Sequence, residues 1–582
     1  MFRNQLRPLI LRAIADLQQE KALPPFDVPL FTVTASEEAD RGDYATNAAL
    51  IIGQRIGRPP LEVAEHIAAR LGKCSASRGA AVVAAAAAAA PGFVNISLSD
   101  ELLAGSLGAA LAEPDIWWRS DLGNGETVVV EYSSPNIAKP LGVHHLRSTI
   151  IGQAIVNLLR AGGYQAVSLS FPGDWGTQFG LLIAGYKRWG DPEKIKAHPI
   201  EEMLDLYVRF SQAAKENTEL LGEGREEFKK LEDGDPENRK LWQWFLDESL
   251  RDFNRVYELL GVKIEHTIGE SFYEPELRGI IHDALERGIA KRSDDGSVVI
   301  PIPSSSTPEI IQKSDGATIY TTRELAAIRH RIQQWNASKL LYVAANQQTF
   351  HLEQVFRSAE LLGYAKPGQL VHVKFGMMLG PGGKKFATRE GRLIPLVEVL
   401  GEAIQRSRAV VERLNPELPE EKKARIARAV GVGAVKYYDL FHHRLSDITF
   451  EWDQMLNLEG ASAPYLQYTY ARLRSILRKY GKEIGKLEIE KSAFDALEHR
   501  LLAAMLRLPE AIEDALRDYT PNTLASYLFG LAKLANEFYH SHPVLQETDA
   551  AKLEFRLALV SGIADTLKNG LGLLGIEAPE EM

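Results

Sequence analysis

The sequence predicts a protein of mixed α/β and all-α class. We expect a Rossmann-like, doubly wound central domain with a helical insertion, a small N-terminal α+β domain and a C-terminal helical bundle. The order strand, helix, strand within residues 128–170 is that of a βαβ unit. From about residue 400 the pattern indicates helix almost throughout, and 582 residues suffice for several domains.

Composition limits the class of protein. Hydrophobic residues make up 45% and charged residues 25% of the chain, as in a soluble globular protein. No apolar run has the length of a membrane span, and the opening residues lack the pattern of a signal peptide. The single cysteine, Cys74, excludes an intramolecular disulfide framework and fits a reducing compartment. We therefore expect a cytoplasmic protein without a membrane partner.

Residues 1–112 form the first predicted domain. The stretch "PPLEVAEHIAARLG" predicts a helix that begins at its prolines and stops at Gly72. The alanine-rich tract near residues 80–90 has helix propensity, but Pro91 and Gly92 end any helix there. The following "FVNISL" alternates like a strand. We assign no function to the alanine tract.

Residues 113–400 form the second predicted domain. Val128–Val130 are a β-branched run typical of a buried parallel strand. The next helix is predicted from the apolar spacing between Ile150 and Leu159 and from the glycines that follow, and "AVSLS" predicts the second strand.

Two further regions complete the predicted domain organisation. Residues 200–262 are charged and helix-like, and they separate the βαβ unit from later strand-like runs such as "KLLYVAA". They are therefore predicted to be an insertion. Residues 401–582 form the predicted helical domain.

The turn after the first strand carries the most informative stretch, "NIAKPLGVHHLRSTIIG". In a doubly wound sheet, ligands bind outside the carboxyl ends of the strands, where a helix N-terminus suits phosphate. Gly142 allows close backbone approach, and His144 and His145 can donate hydrogen bonds to phosphate oxygens. On this stretch alone, a helix start with two structural histidines is an equally good interpretation.

Several sequence segments, separated along the chain and occurring in a fixed order, decide between these interpretations. They are "VEYSSPNIAKP" with "HLRSTIIG", "FPGDWGTQFG", "SDGATIYTTRE", "GMMLGPGGKKFATREG" and "GASAPYLQYTYARLRSILRKYG". Together they resemble arginyl-tRNA synthetase, a class I aminoacyl-tRNA synthetase, over essentially the whole chain. The resemblance implies ligation of L-arginine to its cognate tRNA through an arginyl-adenylate, with ATP accompanied by Mg²⁺, by an enzyme that we expect to be monomeric.

Two alternatives stay open at this point. The first is a catalytically inactive tRNA-binding relative, and the second is a class I synthetase for another amino acid. The first is motivated by a departure from the family pattern, which has His-x-Gly-His at the turn and so predicts His at 142 and Gly at 144. This chain has Gly142 and His144, so the two are exchanged. His145 matches the last histidine and is expected to contact phosphate.

The second family signature corresponds to "KFATR". Lys385 matches its first lysine, while Thr388 and Arg389 replace the usual end, so that the second lysine is absent. In the family, a lysine ahead of the first signature is thought to compensate, and Lys139 occupies that position. The resemblance therefore implies a catalytic role for both lysines and both histidines, and an ATP site that also includes Gly142 and Thr388.

A pocket for arginine has to satisfy a planar, permanently charged group with five donors, so it needs carboxylates. By resemblance, Glu270, Tyr320 and Glu324 form that pocket, although the family usually has Asp where Glu324 stands. The residues that the resemblance places along the backbone end of the amino acid are Glu131, Ser134, Asn136 and Gln348. An ordinary structural polar residue is the alternative for each.

The helical domain resembles the family's anticodon-binding bundle, and the first domain resembles the family's domain that contacts the tRNA elbow. Arg474, Arg478 and Tyr480 are expected to bind tRNA, with a solvated helix face as the alternative. Tyr527 and Tyr539 are further stacking candidates. We expect no metal site in the protein, because one cysteine and "HSH" at 540–542 are too few ligands for zinc.

Overall fold

The computed structural model of the protein describes residues 2–36, 41–75, 82–303, 305–380, 383, 394–482 and 494–582. Among the helices in these ranges, none combines the length and the apolar character needed to cross a membrane.

The first unit is an antiparallel sheet of strand order β1-β2-β4-β3 packed against helices. Its elements are α1 (Phe2–Gln19), β1 (Val33–Ala35), β2 (Tyr44–Thr46), α2 (Ala48–Ile56), α3 (Pro60–Ser75), β3 (Val83–Ala89), β4 (Phe93–Leu98) and α4 (Asp100–Ala112). The predicted α+β character of this unit is confirmed.

One local propensity is overridden here, and one expected helix end was wrong. The alanine tract is the edge strand β3, in spite of its helix propensity. Pro91 and Gly92 turn the chain so that the tract pairs with the alternating strand β4, and this pairing outweighs the local preference. Helix α3 also continues past Gly72 to Ser75. A Cβ at Gly72 would have open space around it, so no close contact requires the helix to stop there.

The central sheet is parallel, with strand order β12-β11-β5-β6-β7. Its elements and the small antiparallel sheet beside it are β5 (Thr127–Glu131), α5 (Leu146–Ala161), β6 (Gln165–Ser170), α6 (Thr177–Trp189), α7 (Pro192–Ala197), α8 (Pro199–Glu216), α9 (Thr218–Glu232), α10 (Pro236–Leu260), β7 (His266–Thr267), α11 (Glu274–Glu286), β8 (Lys291–Arg292), β9 (Val298–Ile300), β10 (Glu309–Gln312), α12 (Tyr320–Trp335), β11 (Lys339–Ala345), α13 (Thr349–Leu361), β12 (Leu370–Phe375) and β13 (Met378–Leu379). Short 3₁₀ turns lie at Val143–His145, Glu270–Tyr273 and Asn346–Gln348.

The chain order of these strands creates the switch point of a doubly wound sheet. From β5 the chain moves outward through β6 to β7, and then returns to place β11 on the other side of β5. The Val128–Val130 run is buried, as a strand covered on both faces should be. Helices α11–α13 cover one face of the sheet, while α5 covers the other. The site is therefore expected beyond the carboxyl ends of β5 and β11.

The remaining elements are helical, apart from one short strand that pairs with β13. They are α14 (Leu396–Leu414), α15 (Glu420–Phe441), β14 (Ile448–Thr449), α16 (Trp452–Met455), α17 (Ala463–Tyr480), α18 (Ala496–Met505), α19 (Leu508–Arg517), α20 (Pro521–Ser541), a 3₁₀ turn at Val544–Gln546 and α21 (Ala550–Leu573). This agrees with the predicted helical bundle.

A buried ion pair docks this bundle on the central sheet. Arg147, in the first turn of α5, has its Nε 3.0 Å from Oδ2 of Asp439 in α15, and each residue is 1% exposed. A second nitrogen of the same guanidinium donates to the Ser446 carbonyl oxygen at 2.8 Å. Loss of one partner would leave the other charge buried and unpaired, which typically costs about 3–5 kcal/mol. The first turn of α5 is thus fixed by contacts with the C-terminal helical bundle.

Candidate active site

The chain makes two sharp turns directly after β5, and these present the first predicted site residues. Ser133 and Ala138 have φ values of 54° and 60°, in the left-handed region that non-glycine residues rarely adopt. Between them lie Ser134 and Asn136, both exposed. The Ser134 hydroxyl accepts from the Phe171 backbone N–H at 3.0 Å and lies 3.4 Å from Oε1 of Glu131. Residues from the ends of β5 and β6 therefore meet at this turn.

Asn136 depends on a glycine across the cleft. It forms a parallel bridge with Gly173, and the Ile137 N–H donates to the Gly173 carbonyl at 3.2 Å. A Cβ added at Gly173 would lie 2.3 Å from Oδ1 of Asn136 and 3.5 Å from Oε1 of Glu270. Only glycine at this position lets the two polar side chains face the same space.

Glu270 is held in place by its neighbours. The backbone N–H and the hydroxyl of Ser271 donate to the two oxygens of Asp174 at 2.8 and 2.6 Å. Asp174 in turn accepts the Trp242 indole N–H at its backbone carbonyl at 2.7 Å. Glu270 itself lies 3.6 Å from Nε of Arg323. The insertion helix α10 thus supports the turn that carries Glu270.

Helix α12 turns one polar face toward the end of β5. Tyr320, Glu324 and Arg331 lie on that face, because their spacings of four and seven residues correspond to one and two helical turns. Glu324 and Arg331 are each 1% exposed, while Tyr320 is 44% exposed and lies over Phe171 with ring centroids 6.4 Å apart. Nη1 of Arg331 donates to Oε2 of Glu131 at 2.5 Å.

These carboxyl groups titrate far from their ordinary range. Burial raises the pKa of Glu131 to about 7, opposed by the positive charge of Arg331. Burial also raises the pKa of Glu270 to about 7, opposed by Arg323, and raises the pKa of Glu324. Carboxyl groups that resist ionisation when buried become stable anions when a cation enters. The pocket is therefore suited to a positively charged ligand.

The histidine turn lies at the start of α5. Gly142 is buried and precedes the 3₁₀ turn, and its N–H donates to Nδ1 of His145 at 3.1 Å. Gly142 also bridges Pro395, so this turn is paired with the chain that follows the predicted second signature. His144 is exposed, and its ring centroid is 3.8 Å from that of His145. Burial lowers the pKa of His145 to about 3 and also lowers the pKa of His144.

The remaining predicted site residues are Lys139, Gln348, Lys385 and Thr388. Lys139 points its ammonium toward the Tyr207 ring of α8, 5.4 Å from the centroid. Gln348 is exposed at the end of the 3₁₀ turn that follows β11. Lys385 and Thr388 lie outside the described residues.

The predicted tRNA-binding residues lie near the C-terminus of α17. Nη2 of Arg474 is 3.4 Å from Oε1 of Glu580, and Nη1 of Arg478 donates to the Glu580 carbonyl oxygen at 3.0 Å. Tyr480 follows in the last turn of the helix and is half-buried. The C-terminal segment thus covers part of the basic face.

The other two tyrosines differ from each other. Tyr527 donates its hydroxyl to the carbonyls of Ala504 and Met505 and packs against the core, and these contacts favour the structural interpretation for it. Tyr539 is 38% exposed and lies beneath the Arg472 guanidinium.

One group in the helical domain has cation-ligand chemistry. Asp495, Glu498 and His542 offer ligand atoms within 4.8 Å of one another. Asp495 also caps α18 by accepting from the Leu497 and Glu498 N–H groups, and it pairs with His542. These contacts give each member a structural task, so the cluster supports no metal assignment.

Sequence reasoning missed Arg331, Arg323 and Asp174. A signal was available for Arg331, since it lies two helical turns after Glu324 and shares its face. Asp174 lies within the quoted "FPGDWGTQFG" segment, but its partner Ser271 is distant in sequence. Only the fold reveals that pairing.

Comparison with known protein families gives matches along the chain. Residues 107–452 match the model described as tRNA synthetases class I (R), catalytic domain. Residues 466–582 match the DALR anticodon binding domain, and residues 4–98 match the arginyl tRNA synthetase N terminal domain.

Individual relatives agree with these matches. The arginine–tRNA ligase of Chloroflexus aurantiacus is 42% identical over 495 residues, covering 84% of this chain and 86% of that protein. The arginine–tRNA ligase of Chloroflexus aggregans is 39% identical over 585 residues, covering 99% and 100%. The crystal structure of arginyl-tRNA synthetase from Plasmodium falciparum is similar with a TM-score of 0.83 at 25% identity, covering 100% of this chain and 99% of that one.

The two histidine environments predict opposite charge states in one protein. His145 accepts at Nδ1 from a backbone N–H and has a pKa of about 3, so it should stay neutral, with its proton on Nε2, at neutral pH. His499 is the internal control. Its hydrogen bond to Asp43, together with Asp100 on the other ring nitrogen, raises its pKa to about 9, so it should be protonated.

Nitrogen-15 NMR of histidine-labelled protein measures both states, with resonances assigned by His145→Gln and His499→Gln. A protonated His145 at neutral pH, or a neutral His499 under the same conditions, would contradict these environments.

Proposed function

The chain belongs to the arginyl-tRNA synthetase family of class I aminoacyl-tRNA synthetases, and from this premise we propose how its residues divide the reaction. The enzyme uses ATP to ligate L-arginine to its cognate tRNA through an arginyl-adenylate, giving arginyl-tRNA, AMP and pyrophosphate for translation. The alternative of a catalytically inactive relative receives no support. The observation that carries the site assignment is the set of buried carboxyl groups at the switch point of the sheet.

For the arginine side chain we propose contact with Glu270, Tyr320 and Glu324. A guanidinium cannot lose its proton, so its burial requires anions placed around a planar fork of donors. Glu324 is almost fully buried, and its Oε2 has no hydrogen-bond partner among the described residues. An unsatisfied buried carboxylate oxygen is costly until a donor arrives, and a guanidinium N–H supplies that donor.

For the backbone end of arginine we propose Glu131, Ser134, Asn136 and Gln348. Glu131 would accept from the α-ammonium group. Asn136 and Ser134 are exposed at the same turn, and the open approach to Asn136 supports its assignment. Gln348 is assigned by family resemblance and by its position in the turn just beyond the carboxyl end of β11.

For ATP we propose the histidine turn together with the chain after it. His145 would donate from Nε2 to a phosphate oxygen, with Gly142 holding its ring through Nδ1. His144, Lys139, Lys385 and Thr388 would complete the phosphate and adenine contacts. Mg²⁺ would accompany ATP, bound chiefly by phosphate and water, because the side chains at the turn are histidines and not carboxylates. Bound in this way, the ion offsets phosphate charge.

The proposed mechanism relies on position and charge. A carboxylate oxygen of arginine attacks the α-phosphorus of ATP, the bond to the bridging oxygen breaks, and pyrophosphate leaves. A terminal ribose hydroxyl of the tRNA then attacks the arginyl carbonyl carbon, and AMP leaves. The residues hold the reacting groups in line and neutralise phosphate charge, so no covalent enzyme intermediate is needed.

We also propose a division of the chain into three domains. Residues 1–112 would contact the tRNA elbow, residues 113–400 would hold the active site, and residues 401–582 would read the anticodon. We propose that the enzyme acts as a monomer. We propose that the enzyme acts in the cytoplasm, where tRNA is charged for translation.

Charging of total tRNA with each labelled amino acid tests the substrate. We expect arginine to be accepted and lysine to be rejected, because a point-charge ammonium cannot satisfy carboxylates arranged for a planar fork. Charged tRNA is precipitated with acid. The labelled amino acid that deacylation then releases from this tRNA is identified. Equal charging with lysine, or no charging with arginine, would overturn the pocket assignment.

Arginine binding should be pH-dependent. Below about pH 7 the carboxyl groups of Glu131 and Glu270 are increasingly protonated in the free enzyme. Arginine affinity should therefore fall about tenfold per pH unit for each proton that must leave, and it should level off above this range. Isothermal titration in buffers of differing ionisation enthalpy measures both the affinity and the released protons.

Glu270→Gln removes one of these titrating groups, so it should weaken arginine binding and reduce proton release. Glu276→Gln, which loses only the partner of Arg329, should resemble the parent enzyme. An affinity that is constant through the range would refute the proposed role of both carboxylates.

The basic end of α17 should contribute to tRNA binding. Arg474→Gln with Arg478→Gln should weaken binding and flatten its salt dependence, because each phosphate contact contributes about 0.9 to the slope. Glu580→Gln, which removes the carboxylate beside Arg474, should strengthen binding. Arg255→Gln, an exposed change on α10, is the control. A salt slope unaltered in the double variant would limit these arginines to holding the C-terminal segment.

A further inference from the structure

A guanidinium of the protein itself is buried beside the proposed arginine site. Arg331 lies in the fourth turn of α12 and is 1% exposed. Its Nη1 donates both to Oε2 of Glu131, at 2.5 Å, and to the Tyr342 hydroxyl, at 3.1 Å. These partners lie opposite each other, Glu131 as the last residue of β5 and Tyr342 in the middle of β11. Arg331 therefore ties α12 to both strands at the switch point.

The group is also fixed in orientation. Its guanidinium carbon lies 4.9 Å from the centroid of the Phe171 ring and 5.7 Å from that of Tyr342. Stacking between aromatic faces favours a planar cation over an ammonium. Its Nε and Nη2 find no acceptor among the described residues, and Oε2 of Glu324 finds no donor there. Such incomplete pairing is tolerated in a buried site chiefly where a ligand completes it.

The contact on Glu131 leaves the two carboxylate oxygens with different surroundings. Oε2 is taken by Arg331, whereas Oε1 lies 3.4 Å from the hydroxyl of exposed Ser134. Oε1 is therefore the oxygen on the open side of the turn. When one oxygen of a carboxylate is fixed by a charged hydrogen bond, the second oxygen also points in a defined direction.

Charge gives Arg331 a second effect on the same carboxylate. Desolvation opposes ionisation of Glu131 and Glu324, and the positive charge of Arg331 is the largest influence that favours it at both. A guanidinium keeps this charge at any pH the protein tolerates. Glu270, which lies near Arg323, has a different counter-charge.

We propose that Arg331 is a positioning residue that aims Oε1 of Glu131 at the α-ammonium group of the substrate and serves as the counter-charge of Glu131. The inference rests on the proposed function, in which this carboxylate receives arginine. It assigns to Arg331 no contact with the reacting atoms. A purely structural role would instead require only that the cavity between the strands and α12 be filled.

Kinetic comparison of three variants separates these roles. Arg331→Met keeps an unbranched side chain of similar length and removes the charge, while Arg331→Lys keeps the charge and removes the fork. Arg329→Met, on the same helix but paired outward with Glu276, is the matched control. Arginine KM, ATP KM and kcat are measured by tRNA charging across a pH series.

Arg331→Met should raise the arginine KM by about tenfold or more and leave the ATP KM within about twofold. The reason is that only the orientation of the groups that contact the amino acid is lost. The fall of arginine affinity on acidification should begin at higher pH than in the parent, because Glu131 has lost its counter-charge. Arg331→Lys should raise the arginine KM but keep the parental pH midpoint. Arg329→Met should match the parent in all three constants.

An Arg331→Met enzyme whose pH midpoint is parental, or whose arginine and ATP KM rise together, would overturn the inference. If this variant does not fold, Arg331→Lys decides alone, and a parental arginine KM in it overturns the inference. Glu131→Gln separates this result from a failure of the proposed site. An unchanged arginine KM in Glu131→Gln refutes the site itself, whereas a raised one, with Arg331 variants unaffected, refutes only the role of Arg331.

Discussion

The ion pair between Glu131 and Arg331 is the interaction on which the arrangement of the active site depends. It connects the last residue of β5, which is partly exposed, to a buried guanidinium of α12. A charge buried there needs an opposite charge within hydrogen-bond distance, so neither partner can move alone. The register of β5 with β11 brings Tyr342 to the same place. The other polar residues of the pocket are arranged around this fixed point.

A second set of buried charges joins the catalytic sheet to the helical domain. Arg147 follows the histidine turn by two residues and pairs with Asp439 in α15. In the same helix, the ammonium of Lys436 donates to the carbonyls of Leu260 and Gly575, at the ends of α10 and α21. Burial lowers the pKa of Lys436 to about 7. The histidine turn, the insertion and the C-terminal helix thus share one support.

The fold was largely predictable because its strongest signals are periodic and local. The buried strand β5, the apolar helix α5 and the strand β6 each carry a pattern that their final environment also favours. The alanine tract was the exception, since alanine alone does not disclose a pairing partner. It became a strand because β4 and the turn at Pro91 and Gly92 placed it at a sheet edge.

The sequence by itself determined the family, the reaction and the residue types of the pocket, because these follow from short motifs in a given order. By resemblance it also assigned Tyr320 and Glu324 to the arginine pocket. Only the tertiary structure decided which groups distant in sequence come into contact: Arg331 with Glu131, Gly173 with Asn136, and Glu580 with Arg474. These contacts join residues that are far apart in the chain. They are selected by burial and by hydrogen-bond geometry, and both arise only once the sheet and the helices have assembled.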